Sequence, residues 1–254
     1  MTLPITPSFR LDGQRAFVTG ASKGIGRAGA VALAAAGAEV VLAARTLPEM
    51  EETVAELAAA GHRAKAVRLD VTDRAALRAT IAAEGPFGVL LNNAGTNIRE
   101  PFLEVQDASL DALLDLNIRA MFITAQAVAQ GMVAAGKGGA IINLSSVNGH
   151  VAGSNRSVYS ATKHAVEGMT KAMAFELGQH GIRVNTLAPG FVETPLTRPV
   201  LVDEKFRSRV VRAMPLGRVM TVEDVMGAIV FLASDASRMV TGLSLVVDGG
   251  HLTH

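Results

Sequence analysis

The 254-residue chain has no cysteine, one tyrosine, and almost no net charge, +1. Without cysteine, neither a disulfide framework nor a thiolate metal site can form. With 24 Lys and Arg against 23 Asp and Glu there is no basic field for nucleic acid, and no Lys/Arg run supplies one locally. The six histidines show no metal-ligand spacing, so no metal is expected. No run of consecutive apolar residues reaches the ~18 needed to cross a bilayer. Met1–Arg10 lacks the apolar core of a signal segment. The expectation is a cytoplasmic protein with neither membrane nor nucleic acid as partner. A hydrophobic content of 49% is ample for a large core. Chains of about 250 residues with α/β patterning are commonly one domain, so residues 1–254 are read as a single domain.

Short apolar runs alternate with helix-length patterns. Strands are expected at Arg15–Thr19, Glu39–Ala44, Arg63–Leu69, Val89–Asn92, Ala140–Leu144, Arg183–Ala188 and Leu243–Val247. Helices are expected near 24–36, 48–60, 73–83, 109–133, 157–179 and 221–233, the last opened by the capping box Thr221-x-x-Asp224. Alternating strands and helices imply βαβ units, a parallel sheet and right-handed crossovers. The strands are apolar nearly throughout, as expected when helices cover both faces. The rhythm fails at 191–220, a long connection of the kind that is functional or disordered.

The single tyrosine stands in Tyr159-Ser-Ala-Thr-Lys163. On a helix, four-residue spacing puts the phenol and the ammonium on one face. A neighbouring cation favours the phenolate. Free tyrosine ionises near pH ~10, and bringing it to neutral pH takes about 4 kcal/mol of differential interaction. Lys163 alone would not supply it all. Read alone, the pair is better taken as an accident of an ordinary helix, because so short a match has a high false-positive risk.

A second constellation is Thr19-Gly20-Ala-Ser22-Lys23-Gly24-Ile25-Gly26, between an apolar run and an alanine-rich helix. Glycines permit positive φ and close approach to a phosphate, and the helix start offers free N–H groups and a positive dipole end. Strand, glycines, then helix points to a dinucleotide site.

The glycine spacing differs from the commoner G-x-G-x-x-G. Together with Asn92-Asn93-Ala94-Gly95, Ser146 thirteen residues before Tyr159, and Pro189-Gly190, it closely resembles the single-domain short-chain dehydrogenase/reductases, from about Leu11 to Gly250. The resemblance implies a Rossmann-type, doubly wound, seven-stranded parallel sheet with helices on both faces. It also implies a catalytic set of Asn117, Ser146, Tyr159 and Lys163. Ser146 would hydrogen-bond a carbonyl oxygen and Tyr159 would protonate it. Lys163 would lower the phenol's pKa and hold the nicotinamide ribose, and Asn117 would hold a relay water. Of the cofactor residues, Gly20, Ser22, Lys23, Gly24, Ile25 and Gly26 form the phosphate turn. Asp70 and Val71 would hold the adenine, and Asn93, Ala94 and Gly95 the adenosine ribose and sheet edge. Pro189, Gly190, Val192 and Thr194 would flank the nicotinamide.

Cofactor choice is read at the end of the second strand, where an NAD enzyme places an acid. This chain has Ala44 and then Arg45, with Lys23 near the glycine turn. An arginine fork suits a 2′-phosphate, so NADP is expected, with NAD possible. Among family members the pattern through Thr96-Asn97 looks most like dehydrogenases of sugar acids, such as gluconate 5-dehydrogenases, and next like 3-oxoacyl-carrier-protein reductases. Asn97, Arg99, Asn148, His150 and Asn155 suit a hydroxylated substrate. The six Lys/Arg against three Asp/Glu in 191–220 suit an anionic one, or simply face water. The reaction expected is interconversion of a secondary alcohol and a ketone. A non-catalytic dinucleotide binder is the alternative of another class, and it would not need the four-residue catalytic set. The family also implies a homotetramer built on the two long helices, where Ala120, Ala125, Ala127, Ala165, Gly168 and Ala172 permit close approach, and on the C-terminal strand.

Overall fold

The computed structural model describes residues 3–253. Its first half runs β1 (Arg15–Thr19), α1 (Gly24–Ala35), β2 (Glu39–Ala44), α2 (Pro48–Ala59), β3 (Ala64–Arg68), α3 (Arg74–Glu84) and β4 (Val89–Asn92). The second half runs α4 (Asp107–Leu114), α5 (Met121–Ala135), β5 (Gly139–Leu144), α6 (Ser157–Leu177), β6 (Ile182–Pro189), α7 (Arg198–Leu201), α8 (Glu204–Arg212), α9 (Glu223–Ala233) and β7 (Ser244–Val247). All seven strands pair in parallel, in the order β3-β2-β1-β4-β5-β6-β7. Winding reverses between β1 and β4, where such sheets open a crevice at the strands' carboxyl ends.

Strand residues alternate between two cores. Ala16, Val18, Val40, Leu42, Leu91 and Ile142 pack with residues of α1, α2 and α9. Phe17, Val41, Leu90 and Ile141 pack with residues of α3, α5 and α6 on the other face. Gly29 lets α1 lie close on the sheet, since a Cβ there would come within 2.3 Å of Leu91. A buried polar ladder fixes the second face. Asn92 Nδ2 donates to the Met121 carbonyl and to Asn143 Oδ1, and Asn143 Nδ2 donates to Thr170 Oγ1 on α6. Two asparagines in adjacent strands thereby hold both long helices in register with the sheet.

The expected helix 109–133 is longer and interrupted. One turn of wider π geometry, Asp115–Ala120, separates α4 from α5 and carries Asn117, which is fully buried. Such turns recur at functional sites. By length and composition the continuous helix Asp107–Ala135 could cross a membrane, with an 18-residue window of mean hydropathy 1.3. A count of consecutive apolar residues misses this because Asp115, Asn117 and Arg119 interrupt the helix. Here 44% of that window is buried in the fold, so it serves as a core helix with one face left outward.

The connection 191–220 is ordered and holds α7 and α8. Its neck is closed where Val192 and Met220 bridge in parallel, with Glu193 N–H donating to the Met220 carbonyl and Met220 N–H to the Phe191 carbonyl. Asp224 completes half of the expected capping box by accepting from Thr221 N–H. It also takes both arms of Arg218, at 2.6 Å each, which holds its carboxyl down to about 2. A 30-residue excursion is thereby pinned at its base, and Val192, Met214 and Met220 anchor it in the core.

Candidate functional site

The carboxyl ends of β1, β4, β5 and β6 carry Gly20, Asn93–Gly95, Ser145–Ser146 and Pro189–Gly190 into one crevice. The glycine turn is a tight backbone crossing. Gly20 and Gly24 have φ of 65° and 58°, and a Cβ on Gly26 would lie 2.3 Å from the Gly20 carbonyl. Thr19 closes the crossing: its Oγ1 accepts from Asn93 and Ala94 N–H, both at 3.0 Å. In return Asn93 Nδ2 donates to the Thr19 and Gly20 carbonyls. The Asn93 amide is therefore committed to the turn itself, and Thr19 is a positioning residue that the sequence reading missed. A threonine ending an apolar run gave no signal of its own.

α1 begins beside Lys23 with no side-chain cap and no acid in its first turn, which leaves its N–H groups and positive end to an anion. Thr194 reaches back over this turn: a Cβ on Gly24 would lie 3.4 Å from it. Thr197 holds that strap, accepting from Thr194 N–H and donating to the Val192 carbonyl. A Cβ on Gly190 would meet Asp248 Cα at 2.8 Å, so glycine is required where β6 ends against β7. Val192 itself is packed into the core. Val71 likewise lies in the core with Phe17, Leu77 and Ile81. Asp70 turns inward on its own loop, accepting from Thr72 N–H and Oγ1. Those bonds lower its pKa, and Arg45 adds to the effect. Arg45 and Lys23 are exposed, and Ala44 leaves no acid beside them. The donors, the glycine cradle and the cations fit a dinucleotide with an additional phosphate.

The chemical groups meet at the crevice's centre. Ser146 lies two residues beyond β5, caps the turn at 147–149 by accepting from Asn148 N–H, and acts on the Tyr159 phenol. Burial raises the Tyr159 pKa, while the Ser146 bond and the charge of Arg156 pull it down. The sequence reading gave that downward pull to Lys163. The Lys163 Nζ instead donates to the Leu144 carbonyl at 2.7 Å, 5.6 Å from the centroid of the Tyr159 ring. Asn117 binds both the N–H and the carbonyl of Thr96 at 2.9 Å and donates to Thr162 Oγ1, which in turn donates to the Tyr159 carbonyl. Its amide thus ties the segment after β4 to the first turn of α6.

One turn beyond Lys163 on α6 lies Glu167, which sequence reading passed over. It is buried, and its two oxygens accept from Thr186 and Ser244 hydroxyls. His150 lies 2.9 Å from Ser244 Oγ and 3.5 Å from Glu167. Gly149 makes this packing possible, since a Cβ there would touch Ser145 Oγ at 2.7 Å and Glu167 Cγ at 3.2 Å.

Burial brings the Lys163 pKa from 10.5 to about 8, with Glu167 opposing the fall. A base lowered on folding binds fewer protons folded than unfolded between those two values. Its cost to stability is therefore complete below about pH 8 and fades as pH rises toward 10.5. The shift corresponds to about 3 kcal/mol. Lys163→Met removes the charge but leaves the Leu144 carbonyl without its donor, worth about 1 kcal/mol. The Met variant should therefore be more stable than wild type by about 1–2 kcal/mol in urea at pH 7, with the gain gone near pH 10. Equal or lower stability at pH 7 would show that the buried ammonium carries no net cost.

Comparison with known proteins agrees with this geometry. A family model described as enoyl-(acyl carrier protein) reductase matches residues 20–251. The chain is 43% identical over 246 residues to the D-erythrulose reductase of Gallus gallus, covering 97% of this chain and 98% of that one. It superposes with a TM-score of 0.92 on a gluconate 5-dehydrogenase of Burkholderia cenocepacia J2315 in complex with NADP and tartrate, at 38% identity, covering 97% and 98% of the two chains. A short-chain type dehydrogenase/reductase from Mycobacterium marinum superposes equally, with a TM-score of 0.92 at 37% identity and the same coverage. The likeness spans nearly the whole chain, and the chain belongs to the short-chain dehydrogenase/reductase family.

Proposed function

We propose that the protein is an NADP-dependent oxidoreductase that interconverts a secondary alcohol and a ketone on a small polyhydroxylated substrate of the sugar and sugar-acid class. The carrying observation is Tyr159 beside a buried Lys163, 5.6 Å from ring centroid to Nζ, with Ser146 acting on the phenol. With its pKa raised by burial, Tyr159 is a neutral phenol at working pH, the form that donates a proton to a carbonyl oxygen. Ser146 hydrogen-bonds the same oxygen, and the phenolate left behind is held by Ser146 and the charge of Arg156. NADPH, when bound, supplies the hydride. Lys163 would hold the ribose hydroxyls, and Asn117 acts by fixing Thr96 and the first turn of α6. Relatives acting on a neutral ketose and on a sugar acid support the substrate class. Tyr159→Phe should cut turnover ~1,000- to 10,000-fold with NADPH affinity within a small factor. Retention of more than about a tenth of the wild-type rate, with chemistry rate-limiting, would remove Tyr159 from the proton-transfer step.

NADP is the preferred cofactor on the strength of Arg45, Lys23 and the missing acid at Ala44. Arg45→Ala should lower kcat/KM for NADPH by roughly 10- to 150-fold, the range of a lost charge-assisted bond, and affect NADH little. Ala44→Asp should reverse the preference by repelling the phosphate and accepting from the NADH hydroxyl. A clear NADH preference in wild type would sink this reading.

A homotetramer is the proposed assembly. Support comes from the outward side of α5 and α6, where Phe122, Val133 and Phe175 are exposed, Phe175 by 90%. Gly168 and Ala172 lie on the surface there, whereas Ala120 and Ala125 are packed inside the protomer. Contiguous exposed apolar surface of this kind marks an association face. Sedimentation equilibrium should return four protomers, and Phe175→Glu should yield a smaller species. A wild-type monomer at micromolar concentration would refute the assembly.

A further inference from the structure

Resting on the oxidoreductase reading, we infer that Arg156 and Arg99 form a clamp for a substrate carboxylate beside Tyr159, so that the site selects a hydroxylated keto acid over a neutral ketose. Arg156 caps α6 three residues before Tyr159, and its charge acts on both Tyr159 and Arg99. Arg99 comes from the segment after β4. The two segments are tied where Glu100 N–H donates to the carbonyl of Asn155. Asn155 is held in the left-handed region, with φ of 55°, and the chain then turns directly into Arg156. The backbones that carry the two arginines are thus held side by side.

Burial disfavours the charge of the half-buried Arg156, and the like charge of Arg99 adds to the cost. Among the described residues neither arginine has a carboxylate within ion-pair distance. An anion between them removes that cost, and the planar guanidinium matches a carboxylate bidentately. The N-terminal end of α6, where Arg156 stands, adds positive potential. Phe206 of α8 lies over Arg99, its ring centroid 5.7 Å from the guanidinium carbon, and packs edge-on against Phe191. Segment 191–220 therefore roofs this side of the crevice.

Two further features favour a polyhydroxylated ligand. Asn97 Oδ1 is buried with no hydrogen-bond partner, so it awaits a donor. A Cβ on Gly153 would lie 2.5 Å from Asn148 Nδ2 and 3.3 Å from an Arg156 guanidinium nitrogen, so glycine leaves the space these two groups occupy. Carboxylate at the arginines and hydroxyl at Asn97 together describe a hydroxy acid.

The test compares D-gluconate with D-glucitol, which carries a hydroxymethyl in place of the carboxylate, by calorimetric titration of the NADPH-loaded protein, where no turnover intervenes. Wild type should bind gluconate at least about tenfold more tightly. Arg156→Gln should collapse that ratio to within about threefold, and Arg156→Lys should restore part of it. Arg99→Gln supplies an independent variant should Arg156→Gln lose NADPH binding. A wild-type ratio near one, a ratio unchanged in both Gln variants, or tighter binding of glucitol 6-phosphate than of gluconate would each overturn the carboxylate clamp. Equal loss of both ligands in Arg156→Gln would also overturn it, leaving Arg156 as a partner of Tyr159 alone. Failure to reduce any ketone would sink the oxidoreductase reading while leaving the affinity ratio as evidence for the anion site.

Discussion

The burial of the Lys163 ammonium is the constraint around which the site is built. A cation taken out of water needs a fixed acceptor and a counter-charge. The Leu144 carbonyl, at the end of β5, supplies the acceptor. Glu167, one helical turn along, supplies the counter-charge and is itself held by hydroxyls from β6 and β7. The register of α6 against β5, β6 and β7 is therefore set electrostatically as well as by packing. The Asn92–Asn143–Thr170 ladder fixes the same helix from deeper in the core. Tyr159 and Ser146 meet because that register leaves them no other place.

The second half of the site rests on close backbone approach. Gly20, Gly26, Gly149 and Gly190 each sit where a methyl group would strike backbone, a neighbouring side chain or both. At Gly20 and Gly26 the crossing is secured by Thr19 and Asn93 and presents the start of α1 to the crevice. At Gly190 it lets β6 end against β7, from which the strap bearing Thr194 returns over the glycine turn. Rigid strand ends hold one wall, and a pinned excursion supplies the other.

Much of this was legible in the order of residues. Strand periodicity gave β1, β2 and β4 with their observed ends, because fully buried parallel strands are unbroken apolar runs. The family resemblance singled out Asn117, Ser146, Tyr159 and Lys163. The contacts of two of them were not legible. The Asn117 side chain bonds Thr96 and Thr162 from a π turn that helical periodicity does not reveal. Lys163 Nζ donates to the Leu144 carbonyl, and Ser146 and Arg156 pull the phenol's pKa down.

The sequence by itself determined the layered α/β plan, the glycine turn and the absence of an acid beside Arg45. These follow from local chemistry: apolar period, backbone freedom and charge at a strand end. Only the tertiary structure decided which groups face one another. Glu167 lies on α6, Thr186 on β6 and Ser244 on β7, and no spacing rule joins them. Arg99 and Arg156 stand 57 positions apart in the sequence, and a single hydrogen bond between Glu100 and Asn155 helps to bring their charges together. Side-chain electrostatics depends on distance through space, which the sheet's crossovers set and the linear order does not record.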